Sequence, residues 1–173
     1  MSPMRCKINF MFRYELATLE SLIKLWDKNI QNNQNERCWK QWKKEYINYN
    51  ENGLAKTFII FYDNDPIGEG TLIFSPKCKA TKCQPMLADN KTVANINALR
   101  ISKEFEGQGH ISKLLDLMEN YASSQGYDYL TIGVEAQETR TLSIYLHLGY
   151  NKLVKYSKEN GKLVLYYKKD ISE

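Results

Sequence analysis

A chain of 173 residues is long enough for one well-cored domain and too short for two of ordinary size, so residues 1–173 are read as a single domain. Hydrophobic residues make up 43% and charged residues 25%, the balance of a soluble globular protein. The net charge of +4 favours an anionic ligand, but the basic residues are spread through every segment, which argues against a nucleic-acid partner.

No apolar run approaches a membrane span, and the opening "MSPMRCKINF" lacks a signal-peptide core, so a cytoplasmic protein with no membrane attachment is expected. Cys6, Cys38, Cys78 and Cys83 are too few and too scattered for a disulfide scaffold. "CKATKC" brings Cys78 and Cys83 close, but zinc needs four ligands and His110 and His147 lie far along the chain. These cysteines are read as free thiols in a loop, and no metal is expected.

In chain order, Lys7 to Phe12 reads as a short strand. A helix follows from about Leu16, with Leu19, Leu22, Ile23 and Trp26 on one face. After the polar run "NIQNNQNE" a second helix begins near Glu36. There Trp39, Trp42, Tyr46 and Tyr49 form an aromatic stripe of core character, and Gly53 marks the helix stop. "KTFIIFYDNDPIGEGTLIF" reads as a hairpin about Asp63–Pro66, and "SPKCKATKCQPMLADNKT" as an irregular loop. "VANINALRIS" is a strand leading through a glycine turn into a helix to about Ser124. "YDYLTIGVEA" is a strand and "ETRTLSIYLHLGY" a short helix. "NKLVKYSKENGKLVLYYKK" closes the chain as a hairpin on Asn160-Gly161. The order predicts an α/β fold with a mixed sheet and helices on both faces.

The most informative stretch is "EFEGQGHISKLLDLMEN", Glu104 to Asn120. Ile111, Leu114, Leu115, Met118, Tyr121 and Ala122 recur at helical spacing and make one buried stripe. The first turn of such a helix has backbone N–H groups without intrahelical partners and carries the positive end of the helix dipole. Gly107 and Gly109 just upstream allow a sharp bend and let a ligand reach the backbone without meeting a Cβ. Strand, glycine turn and helix N-terminus together form an anion cradle suited to phosphate. No Gly-Lys-Ser/Thr follows, so it is not a nucleotide P-loop, and the third glycine of a dinucleotide fingerprint is missing.

Residues Ala94 to Tyr150 resemble the GNAT superfamily of N-acetyltransferases. That family carries a turn of the form Gln/Arg-x-x-Gly-x-Gly/Ala, and "EGQGHISKLL" aligns with it from Glu106 to Leu115. Downstream, "IYLHLGY" (Ile144 to Tyr150) matches the family's Leu-Tyr-x-x-x-Gly-Phe, and the element order agrees over nearly the whole chain. The resemblance implies a mixed, mostly antiparallel sheet splayed in the middle, with acetyl-CoA as cosubstrate. It also implies that Glu106, Gly107, Gln108, Gly109, His110, Ile111 and Ser112 line the pyrophosphate site. The strand at Leu99, Arg100 and Ile101 would then pair with the pantetheine arm. Two letters depart from the pattern: Glu106 stands where Gln or Arg is usual, and Ile111 where Gly or Ala is. A carboxylate near a pyrophosphate repels it by about 1 kcal/mol at surface dielectric, and a protonated His110 would offset this. Ile111 belongs to the apolar stripe.

For acetyl transfer, the resemblance makes Tyr145 the proton donor to the departing thiolate, with an oxyanion contact from the Leu99–Ile101 backbone. The family's usual strand glutamate falls here on Asn97, which can orient a water but cannot take a proton. Glu135 and then Glu69 are the acids expected to face the acceptor cleft. An aromatic wall from the first two helices with one of these acids would suit a small cationic amine. The leading expectation is therefore acetylation of a small-molecule amine in a ternary complex. Acetylation of a protein amine, or a degenerate domain that only senses acyl-CoA, stand as alternatives, and a homodimer is left open.

Overall fold

The computed structural model describes residues 11–172. Its elements are strand β1 (Phe12–Leu16), helices α1 (Leu19–Asn32) and α2 (Cys38–Glu51), and strands β2 (Ala55–Tyr62), β3 (Asp65–Ile73) and β4 (Val93–Ile101). Helix α3 (His110–Ser124), strand β5 (Tyr129–Glu135), helix α4 (Thr139–His147) and strands β6 (Lys152–Glu159) and β7 (Lys162–Asp170) follow. Most of the strand expected at Lys7–Phe12, and Cys6 with it, lies outside the described residues.

One seven-stranded sheet runs in the order β1-β2-β3-β4-β5-β7-β6. Every pairing is antiparallel except β4 with β5. The unbroken apolar run "FIIF" in β2 is explained by burial on both faces of the sheet. Phe58 and Ile60 join Leu114, Leu115 and Met118 of α3 on one face. Ile59 and Phe61 join Leu22, Leu25 and Trp26 of α1 and Trp39, Tyr46 and Tyr49 of α2 on the other. Helix α4 sits on the α3 side through Tyr145.

Two apolar stripes differ from the expected ones. In α1 the buried residues are Leu22, Leu25 and Trp26, while Leu19 and Ile23 are exposed. In α2, Trp42 is exposed and packs edge-on against Trp39 at 5.2 Å, because the helix turns its other rings toward the sheet. The loop from residue 74 to 92 is more ordered than its composition suggests. It includes a short 3₁₀ turn at Lys79–Thr81 and buries Cys78, Thr81, Leu87 and Ala88. Cys78 is a buried free thiol and Cys83 an exposed one.

Three features hold β4 where the sheet opens. First, its ladder with β5 extends only from Val93↔Tyr129 to Ile96↔Ile132, so from Asn97 onward one edge of β4 has no strand beside it. Second, the β3–β4 register jumps between Glu69↔Arg100 and Thr71↔Asn97, which puts a bulge at Ala98–Leu99. Ala98 sits there at φ 51, a left-handed conformation that a residue with a Cβ adopts at a cost of about 1–2 kcal/mol. Third, Gly68 lets β3 approach closely: a Cβ would meet the Arg100 carbonyl oxygen and Ile60 Cδ1 at 2.9 Å each.

The entry to β4 is pinned by Asp89. Its Oδ1 accepts from the N–H groups of Lys91 (2.9 Å), Thr92 (2.8 Å) and Val93 (2.8 Å), and its Oδ2 from the Thr92 hydroxyl (2.9 Å). Burial alone would raise the carboxyl, but these donors outweigh it and hold its pKa below the ordinary 3.8. A depressed folded-state pKa contributes stability above the unfolded value that is lost as pH falls through the folded one. Asp89→Ala is therefore expected to lose about 1–2 kcal/mol at neutral pH. Denaturant midpoints of the two proteins should converge as pH drops below 3.8.

Candidate active site

The glycine turn takes the shape its sequence requires. Gly107 and Gly109 have φ of 74 and 84, and Gly109 caps α3 from the left-handed region. A Cβ built on either glycine meets no atom within 4 Å, so both face open space. Among the described residues, the N–H groups of residues 107 to 112 have no hydrogen-bond acceptor. They are the orphan donors of a helix start together with those of the turn before it.

Beside this turn lies a cleft of about 880 Å³, lined by Leu99, Arg100 and Ile101 of β4, by the turn and start of α3, and by α4. Of the residues expected at the pyrophosphate site, Glu106, Gly107, Gly109, His110, Ile111 and Ser112 all line it. Gln108 does not: its amide nitrogen donates to the Glu104 carbonyl at 3.3 Å. Arg140 and His147 of α4 also line the cleft. Sequence reasoning passed over both, although their spacing across two helical turns on one face was legible.

The surroundings of His110, expected as a cation to balance Glu106, favour its neutral form. It is buried, its ring tilted against Phe12 with centroids 4.4 Å apart, and its Nδ1 meets the Tyr14 hydroxyl at 2.5 Å. Burial and then the Lys113 charge hold its pKa below the ordinary 6.5.

Tyr145 lines the cleft from α4 and is itself 8% exposed. Burial, and secondarily the Glu138 carboxylate, push its pKa up to about 12. No hydrogen bond from another described residue occupies its hydroxyl.

The candidate bases are each engaged by other side chains. Glu135 is tied to Lys162 of β7 at 2.9 Å and to Gln137 at 3.1 Å, and is not among the cleft residues. The Lys162 contact lowers its pKa, which makes it a weaker base. Glu69 is 1% exposed on the α1–α2 side of the sheet. Its Oε1 accepts from Arg100 Nε and from Asn29 Nδ2, both at 2.8 Å. Burial pushes its carboxyl up, opposed in part by Arg100 and Asn29. Asn97 is committed as well: its Oδ1 accepts from the Tyr46 hydroxyl at 2.6 Å, and its Nδ2 reaches the Ala80 carbonyl at 3.4 Å. Neither acid lines the cleft beside the glycine turn: Glu69 is held on the α1–α2 side by Arg100 and Asn29, and Glu135 is paired with Lys162. Among the described residues, Glu106 is the sole carboxylate lining that cleft.

A splayed mixed sheet with a turn of unpartnered N–H groups at its opening defines the class: an α/β protein whose sheet parts beside a helix start. The chain belongs to the GNAT acetyltransferase family, whose profile matches residues 18–150. No curated protein matches the chain. Among solved structures it is similar to the ribosomal-protein-S18-alanine N-acetyltransferase of Escherichia coli, at 12% identity and TM-score 0.70, covering 94% of this chain and 96% of that one. It is also similar to a spermidine N-acetyltransferase chimera from Vibrio cholerae and its human counterpart, at 13% identity and TM-score 0.68, covering 93% and 96%. A third is a GNAT acetyltransferase from Elizabethkingia anophelis with acetyl-CoA bound, at 16% identity and TM-score 0.62, covering 92% and 97%. Among the described residues no helix is long and apolar enough to cross a membrane.

The Glu69–Arg100 pair is the buried electrostatic element of the site. Glu69→Ala removes the acceptor of two hydrogen bonds and leaves a half-buried guanidinium unpaired. A loss of about 1–3 kcal/mol is expected, read as a lower denaturant midpoint at unchanged slope.

Proposed function

We propose that this protein transfers the acetyl group of acetyl-CoA to the primary amine of a small molecule, by direct attack within a ternary complex. The observation that carries the reading is the row of unpartnered N–H groups from residue 107 to 112, opening on the same cleft as the Tyr145 hydroxyl. In this reading those amides hold the diphosphate of the cosubstrate, and the open edge of β4 at Leu99–Ile101 holds its pantetheine arm and the acetyl oxygen.

The cosubstrate supplies an activated thioester whose sulfur leaves as a thiolate. The amine nitrogen bonds to the acetyl carbon as the carbon–sulfur bond breaks. Tyr145 stays protonated well past neutral pH and donates to the departing sulfur. Because its pKa of about 12 exceeds that of an ordinary phenol, it acts mainly as a fixed hydrogen-bond donor that lowers the thiolate's energy. With Glu69 and Glu135 both engaged elsewhere, the amine loses its proton to solvent at the open end of the split.

Support for a small acceptor comes from the walls on the α1–α2 face. Asn97 in β4 is gripped by Tyr46 of α2 from one side and by Ala80 of the 74–92 loop from the other. That enclosure suits a compact amine better than an extended polypeptide.

Acetyl-CoA titration with free-thiol release against a panel of small amines and N-terminal peptides tests the assignment. Turnover only with peptides would replace the acceptor class, and thermal stabilisation without turnover with any amine would reduce the domain to an acyl-CoA binder. Tyr145→Phe is expected to lower kcat by about 10–100-fold while acetyl-CoA affinity changes little, a split that a packing role would not give. Glu106→Gln should tighten acetyl-CoA binding about fivefold at low salt by removing one repulsive charge, and the gain should shrink in high salt. A calorimetric titration of each variant reads both effects.

A further inference from the structure

We propose that Arg100 is an anion receptor on the acceptor side, so that the amine acetylated here carries a carboxylate or phosphate group of its own. The inference deepens the acetyltransferase reading and rests on it.

Arg100 and Glu69 stand opposite one another in the β3–β4 register, just where β4 borders the split. Their contact is single-pronged: Arg100 Nε meets Glu69 Oε1 at 2.8 Å, and the same oxygen also accepts from Asn29. A side-on fork would have engaged Nη2 with Oε2 as well, yet both of those atoms are buried without a hydrogen-bond partner. Trp26 Nε1, a third buried unpartnered atom and a further donor, belongs to the ring over which the guanidinium lies. Arg100 therefore uses only its Nε edge internally. Its Nη2 is a buried donor that finds no acceptor within the fold.

Exposure decides which charge an acceptor meets. The Glu69 side chain is 2% exposed and that of Arg100 34%. The carboxylate is sealed beneath the sheet face while the cation is presented above it. Trp39 and Trp26 hold the guanidinium plane, with Cζ 4.7 and 5.5 Å from their ring centroids, so little conformational freedom remains to be lost on binding. Two of the aromatic faces that would have suited a cationic amine, Trp26 and Trp39, are thus already occupied by a cation of the protein's own. A polyamine approaching this surface is repelled, whereas a carboxylate or phosphate meets a partly exposed cation already held in place by two indole rings. The receptor lies beside the β4 edge, so the anion and the amine are a few bonds apart, as in an amino acid or an aminoalkyl phosphate. Glu69 is a positioning residue that acts through Arg100.

The experiment measures thiol release from acetyl-CoA with matched acceptors: an amino acid against its amide, an aminoalkyl phosphate against its amino alcohol, and spermidine. The wild type, Arg100→Met and Arg100→Lys are compared, with circular dichroism to establish that each variant is folded. The wild type is expected to favour the anionic member by about 10–100-fold in kcat/KM. Arg100→Met should bring the ratio to about one, and Arg100→Lys, which keeps charge but not the fork, should fall between. Which pair shows the preference tells carboxylate from phosphate. Tryptophan fluorescence supplies a second readout, because Trp26 and Trp39 flank the receptor: anionic amines should give a saturable change in the wild type that Arg100→Met loses. Equal or better turnover of the neutral members or of spermidine, or a preference that survives Arg100→Met, overturns the proposal while leaving acetyl transfer intact. An Arg100-dependent fluorescence change without thiol release from any amine would uphold the receptor and remove the transferase reading. Silence in both readouts removes the receptor.

Discussion

The parting of β4 from β5 after Ile96↔Ile132 is the constraint on which everything else in this molecule depends. Parallel pairing over so short a stretch leaves the two strands free to follow different partners. Strand β5 is carried away by β7, with which it pairs along its whole length. Strand β4 stays with β3, drawn in by the bare backbone at Gly68 and bent by the bulge at Ala98. The opening turns part of a strand interior into an exposed backbone edge. It also places the start of α3, which follows β4 after a few residues, at the mouth of the opening. Anchoring at both ends makes the geometry durable: Asp89 fixes the entry of β4, and the Ser102 N–H donates to the Ile67 carbonyl at 2.7 Å beyond its end.

Much of this was legible because it rests on local rules. The strand–turn–helix at Gly107–Gly109 could be read from residue types alone, since only glycine takes those positive φ values without strain. The apolar stripe of α3 and the closing hairpin followed from periodicity. The bulge at Ala98 could not be read, because nothing in "NINAL" marks a non-glycine residue with positive φ; the strain is imposed by the neighbouring strand. Nor could the fate of Glu69. In "IGEGTL" it looks like a polar strand residue, and only the register with Arg100 reveals a charge pair. His110 is a similar case: its position in the turn suggested a cation for phosphate, while its burial and the nearby Lys113 charge lower its pKa.

The two faces of the sheet solve recognition with different chemistry. On the α3–α4 face the donors are main-chain N–H groups, which belong to no particular side chain and survive substitution so long as the backbone keeps its path. This is why Glu106 and Ile111 can depart from the family pattern without closing the cradle: neither alters the row of free amides. On the α1–α2 face the groups are side chains, Arg100, Glu69, Trp26 and Trp39 among them, fixed by mutual contacts.

That contrast has an energetic reason. A backbone cradle can be made once and kept, since its ligand's diphosphate does not change between relatives that share a cosubstrate. An acceptor pocket must instead discriminate, and discrimination comes most steeply from buried polar groups that a wrong ligand leaves unpaired. The unpartnered atoms around Arg100 lie on the discriminating face and are absent from the turn's side-chain surroundings among the described residues. Holding a carboxylate beneath a guanidinium, with one fork left open, keeps the pair stable enough to fold around while leaving it short of its full set of hydrogen bonds. The incomplete pair concentrates selectivity at the one point where the acceptor side of the sheet meets the edge of β4.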